Sequence, residues 1–64
     1  MTYVVAVISD SRIKYVSEIS GWTVRVSPES SEAIRFDDRP AYCFVHQGFV
    51  LTEDEVKIYE VMYG

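Results

Sequence analysis

The stretch Tyr3-Val4-Val5-Ala6-Val7-Ile8 is apolar at every position and largely β-branched. An alternating pattern would leave one face of a strand wet, whereas an unbroken one reads as a strand covered on both faces. Such a strand needs a layer on each side, and the chain has 64 residues with which to build both. A domain this short buries only about 60% of the surface its unfolded form exposes. Small scaffolds usually depend on disulfides, a metal or a partner. Cys43 is the single cysteine, which excludes a disulfide within the chain. An apolar core must then carry the fold, alone or with a second chain. The composition, 48% hydrophobic and 14% aromatic, is that of a folded domain rather than a disordered tail.

The local patterns predict an α+β fold in one domain over residues 1–64. Ser9-Asp10-Ser11-Arg12 supplies turn chemistry after the first strand. A second strand follows over 13–19, and Ser20-Gly21 turns the chain into a third. There Trp22, Val24 and Val26 alternate with Thr23, Arg25 and Ser27, which assigns Trp22 to the core face. Together these make a three-stranded antiparallel meander. Ser27-Pro28-Glu29 reads as a helix start, with a short helical turn seating Ala33, Ile34 and Phe36. Asp37-Asp38 offers a second N-cap, ahead of a helix with Ala41, Phe44 and Val45 on one face and Gly48 as its left-handed end.

Residues 53–63 support two readings. Thr52-Glu53-Asp54-Glu55 matches a capping box, and a helical wheel puts Val56, Ile58, Tyr59, Met62 and Tyr63 on one side. The same segment is rich in β-formers and partly alternates. A fourth strand adds most to a three-stranded sheet, so the expected order is meander, helical turn, helix and final strand (βββαβ).

Lys14-Tyr15-Val16-Ser17-Glu18-Ile19-Ser20-Gly21-Trp22-Thr23-Val24 followed by Ala33-Ile34-Arg35-Phe36-Asp37-Asp38 resembles small uncharacterised accessory proteins of bacteriophages and prophages. The shared pattern is a "YV..I.GW.V" hairpin, an "A..F" turn and a short helix, over about residues 14 to 47. The resemblance implies a phage-like origin and a ββα core, and it brings no catalytic residues with it.

Residues that carry chemistry elsewhere have simpler roles here. Cys43 and His46 stand three apart on the expected helix, but a structural zinc needs four ligands and the rest would have to be ordinary carboxylates. A cysteine–histidine catalytic pair on one short helix lacks a pocket and oxyanion donors. Asp37-Asp38 suits capping better than paired acid–base work. The glycines are isolated, so no phosphate-cradling loop exists. The reading is therefore no enzyme, no metal and no cofactor.

The charge balance points to partners. Six basic against ten acidic residues give a net charge of −4, which disfavours direct contact with nucleic acid and suits basic grooves instead. Nothing near the start resembles a membrane span or a secretion signal, so a cytoplasmic location in a bacterial host is expected. The five tyrosines exceed what so small a core can hide. Tyr42, Tyr59 and Tyr63, with Glu53, Asp54 and Glu55, form the candidate partner-binding set. The expected function is inhibition or modulation of a host defence or nucleic-acid protein, such as a nuclease with a basic groove, by steric and electrostatic blocking. The alternative is a self-assembling accessory protein, a homodimer joined through a strand edge.

Overall fold

The computed structural model describes all residues from Met1 to Gly64. Its elements are β1 (Tyr3–Ser9), β2 (Arg12–Ser20), β3 (Thr23–Ser27), a 3-10 turn at Ser30–Glu32, β4 (Phe49–Thr52) and α1 (Glu53–Tyr63). The strands form one antiparallel sheet in the order β3-β2-β1-β4. The α+β class, the meander, the helical turn, a single helix and a fourth strand are all present.

The fourth strand and the helix stand in a different order from that expected. The segment 41–47 forms no helix, and residues 53–63 are helix rather than strand. Tyr42-Cys43-Phe44-Val45-His46 is a run of poor helix formers, and its aromatics join one cluster with Phe36. Phe44 stacks on Phe36 at 5.7 Å between centroids, and Tyr42 meets Phe44 edge-on at 5.0 Å. At Thr52 the capping box closes both ways: Glu55 N–H donates to Thr52 Oγ1 (3.3 Å) and Thr52 N–H to Glu55 Oε1 (2.9 Å). Glu53, Asp54 and Glu55 set three acids against the positive end of the helix dipole. The four residues after Gly48 then supply the sheet's last strand.

Gly48 does not carry the left-handed turn, because Gln47 has φ +62° instead. Its lack of a side chain matters for closeness: a Cβ there would sit 2.7 Å from Val45 Cγ2. Ser27 keeps a cap-like role, since its Oγ accepts from Glu29 N–H at 3.2 Å and its hydroxyl donates to Glu32. No helix follows Asp37-Asp38, and both aspartates are exposed.

β1 is the central strand that its apolar run requires. Tyr3–Ala6 pairs with β4, Ala6–Ser9 pairs with β2, and only Ala6 is paired on both sides. A bulge between Val16 and Glu18 shifts the β2–β3 register, and bulges bend and twist the strand that carries them. The gap beside Tyr3 is filled by residues 34–36. Tyr3 and Phe36 exchange backbone hydrogen bonds (2.8 and 2.9 Å), and Ile34 N–H donates to Val16 (3.0 Å).

One face of the sheet gives Val4, Ala6, Ile13, Tyr15 and Leu51 to a core closed by Ala33 and Val56, with Phe49, Tyr59 and Tyr63 packed at its margin. Val5 and Val16, of the other parity, are buried on the second face. There Arg39 lies over the Tyr3 ring at 5.1 Å. Both faces of β1 are thus covered.

Candidate functional site

The antiparallel order brings four segments to one end of the sheet: the β2–β3 turn, the start of β1, residues 36–38 and the β4–α1 junction. β2 runs five residues past its last pairing with β1, to Ser20, so its hairpin with β3 projects from the core at this end. Gly21, at φ +58°, lets the chain turn in two residues. Trp22, the next residue, is fully exposed. The alternation assigned Trp22 to the core, but its strand has left the core before reaching it. Ile19 and Val26 are also exposed, and they share a face of the ribbon with half-buried Val24.

Beside this apolar tip the same end carries carboxylates. Asp37, Asp38 and Asp54 are exposed and form no ion pair. Glu53 is engaged. Its Oε2 lies 2.6 Å from Arg35 Nε and accepts from Thr2 Oγ1 at 2.7 Å, while Arg35 Nη2 donates to its Oε1 at 3.3 Å. The Thr2 hydrogen bond, with Arg35 beside it, holds the Glu53 carboxyl below its ordinary range. Arg35 also donates to the carbonyls of Ser30 (2.7 Å) and Ala33 (3.0 Å), so one guanidinium ties the 3-10 turn to the start of α1.

The expected partner-binding residues divide into separate groups. Tyr42 is exposed in the loop before β4. Glu53 is a structural link, Asp54 is free and Glu55 is consumed by the capping box. Tyr59 and Tyr63 are half-buried and roof the core, with ring centroids 6.0 Å apart and Phe49 5.4 Å from Tyr59. Ile58 and Met62, grouped with them on the wheel, point the other way and are exposed. Trp22, Ile19 and Val26 were missed as surface residues. For Ile19 and Trp22 the signal available was the length of β2, which outruns its partner β1; Val26 lies opposite Val16 on the edge strand.

One concavity exists, about 460 Å³ and open to solvent, on the polar face of the β2–β3 ribbon. Its carboxylates are engaged: Glu18 lies 3.7 Å from Arg25, and Glu32 takes the Ser27 hydroxyl. Cys43 is half-buried and His46 exposed in the irregular loop, without the helical spacing that would have aimed them together. No three or more His, Cys, Asp or Glu side chains converge as metal ligands. Inside the core, burial pushes the Tyr15 hydroxyl up to about 12, helped by Glu60, whose Oε1 accepts from it at 3.5 Å. No helix is long and apolar enough to cross a membrane. Comparison with family models, curated proteins and solved structures gives no match.

Proposed function

We propose that the protein is a binding module that inhibits or modulates a host protein, and that it does so through the end of the sheet bearing Trp22. The observation that supports this reading is a fully exposed tryptophan on a projecting hairpin, at the same end as the free carboxylates of Asp37, Asp38 and Asp54. Tryptophan is among the side chains most often found to anchor protein interfaces. The carboxylates favour a basic partner surface, and a net charge of −4 speeds encounter with one.

The partner class we infer is a nucleic-acid enzyme with a basic groove, such as a nuclease, in the cytoplasm of a bacterial host. The resemblance of residues 14–47 to phage accessory proteins supports that setting. The module would block the groove by filling it, with Trp22 seated on the groove wall and the aspartates replacing phosphates. The test is capture by the tagged protein from bacterial lysate at low and high salt, with heparin as competitor. One nucleic-acid enzyme held at low salt, released by salt or heparin and lost with Trp22→Ala is the expected result. Capture unchanged by salt, heparin and the triple Asp37→Asn, Asp38→Asn, Asp54→Asn variant would overturn the mechanism.

A further inference from the structure

β3 is one edge of the sheet, and its ladder with β2 fixes which of its backbone groups point outward. Ser20 and Thr23 flank a two-residue turn, so they face each other through hydrogen bonds. The Arg25 carbonyl also faces β2, since it accepts from Ser17 Oγ at 3.2 Å. Alternation then turns the N–H and C=O of Val24 and Val26 outward. No backbone hydrogen bond outside the ladders involves either residue. The opposite edge differs: β4 has four residues, and the N–H of Thr52 goes to the Glu55 side chain. That edge is closed at one end by the helix cap.

The two sides of the open edge are unlike. On one, Val24 and Val26 continue the apolar surface of Ile19, with exposed Trp22 at the head of the strand. On the other lies the open concavity of about 460 Å³, whose lining includes Glu18, Arg25, Ser27 and Glu32. Two carboxylates against one guanidinium leave it negative. Glu32 stands at its Ser27 end, bonded to the Ser27 hydroxyl.

These features select the occupant. Outward N–H and C=O groups at alternate residues are matched by an extended strand. A second copy of β3 is a poor match, because pairing Val24 with Val26 in both directions sets Arg25 directly against Arg25. Shifting that register by two residues one way meets Pro28, which has no N–H, and the other way leaves the strand at Trp22. A foreign strand carries no such conflict.

We infer that β3 takes an extended segment of the partner protein as a fifth, antiparallel strand. The segment's residues opposite Val26 and Val24 are apolar, and its residue opposite Arg25 is not basic. A lysine or arginine opposite Ser27 enters the concavity beside Glu32. In the segment's own order, a basic residue precedes two apolar ones at alternate positions. The inference rests on the reading of the protein as a binding module, and it adds how the partner is held.

The probe is the peptide acetyl-Lys-Val-Thr-Val-Thr-amide, titrated into the full chain while amide hydrogen exchange is followed by NMR. Exchange at Val24 and Val26 should slow at least about twofold at about 1 mM peptide, the effect of a Kd near that concentration. N-methylation of either valine removes an N–H that bonds to β3 and should abolish the effect. N-methylation of the central threonine, whose N–H points away, should leave it. Glutamate in place of the lysine should weaken binding about threefold. Unchanged exchange at Val24 and Val26 would overturn the inference, as would equal loss from all three N-methylated peptides. Protection that rises with protein concentration in the absence of peptide would also overturn it, by giving the edge to a second copy. Val24→Pro removes only an outward N–H, so the ladder with β2 keeps its bonds. Lysate capture of a nucleic-acid enzyme that persists in Val24→Pro would sink the added strand and keep the groove reading. Peptide docking without any such capture would do the reverse.

Discussion

The two halves of the β2–β3 hairpin carry the same kind of sequence and meet different fates. In the first half Ile13, Tyr15 and Val16 are almost fully buried, clamped by β1, α1 and residues 33–36. In the second half Ile19 and Trp22 are as apolar, yet they lie exposed. Alternation along a strand states which residues share a face. It does not state whether anything lies over that face. What changes along the hairpin is the neighbour: β2 last pairs with β1 at Tyr15, residues 34–36 take over at Val16, and beyond them β2 pairs with β3 alone.

The sharpest way to test this contrast is to remove one aromatic from each half. Tyr15→Ala should cost about 3–5 kcal/mol, as for other large buried aromatics, and leave most of so small a domain unfolded. Trp22→Ala should change stability by no more than about 0.5 kcal/mol. Chemical denaturation of both variants checks this. Near-equal losses would mean that the hairpin tip is packed.

Tyr15 also makes the embedded half sensitive to alkali. Its pKa is raised to about 12 in the folded protein, chiefly by burial and further by Glu60. The unfolded chain loses this proton near pH 10, so between pH 10 and about 12 the folded state holds more protons. The stability is fully present below pH 10 and is lost as pH rises through that window, by roughly 2 kcal/mol. Tyr15→Phe should flatten this part of the profile. Denaturant midpoints measured from pH 8 to 12 give the answer.

Arg35 supplies a weaker clamp, where the hairpin leaves the sheet. Its contacts with Glu53, Ser30 and Ala33 are more than one-third exposed at the Glu53 end and are discounted accordingly. Arg35→Ala should cost about 1 kcal/mol. Glu53 has a lowered pKa, so its contribution is present above the unfolded carboxylate range and disappears as pH falls through the folded value. The Arg35→Ala and wild-type stability curves should therefore draw together in acid by the ion-pair part alone, leaving the loss of the Ser30 and Ala33 carbonyl bonds. A gap of the same size above and below the carboxylate range would assign the whole loss to the carbonyl bonds and the arginine stem.

How much of this was legible in the sequence follows from the range of each interaction. β1, the meander and its turns depend on neighbouring residues, and the pattern of Val4 to Ile8 carries them. The capping box at Thr52 was equally local and readable. The real fourth strand, Phe49–Thr52, is only four residues long and follows a loop, so its sequence gives little sign of it. The Glu53–Arg35–Thr2 network joins residues 18 and 51 positions apart, and no spacing rule reaches across such distances. The outward stripe of α1 was visible as apolar residues. Its direction depended on which side of the helix the sheet occupies.

The smallest effect separates the two ends of β2 by their turns alone. At the embedded end Asp10 and Ser11 both have positive φ, +54° and +65°. Two-residue hairpin turns of that kind favour Asp-Gly, since a side chain in the left-handed region costs about 1–2 kcal/mol. Ser11→Gly removes that cost but gives the unfolded chain more freedom, offsetting roughly 0.5–1 kcal/mol. A net stabilisation of about 0.5 kcal/mol is expected. At the projecting end the glycine is already in place: Gly21 has φ +58°, and a Cβ there would have nothing within 4 Å. Gly21→Ala should therefore cost about 1 kcal/mol through the backbone alone. Paired denaturation curves should show opposite signs, Ser11→Gly upward and Gly21→Ala downward. A Gly21→Ala variant as stable as the wild type would mean that the projecting half frays without weakening the core, which would make the hairpin tip energetically independent of the fold that carries it.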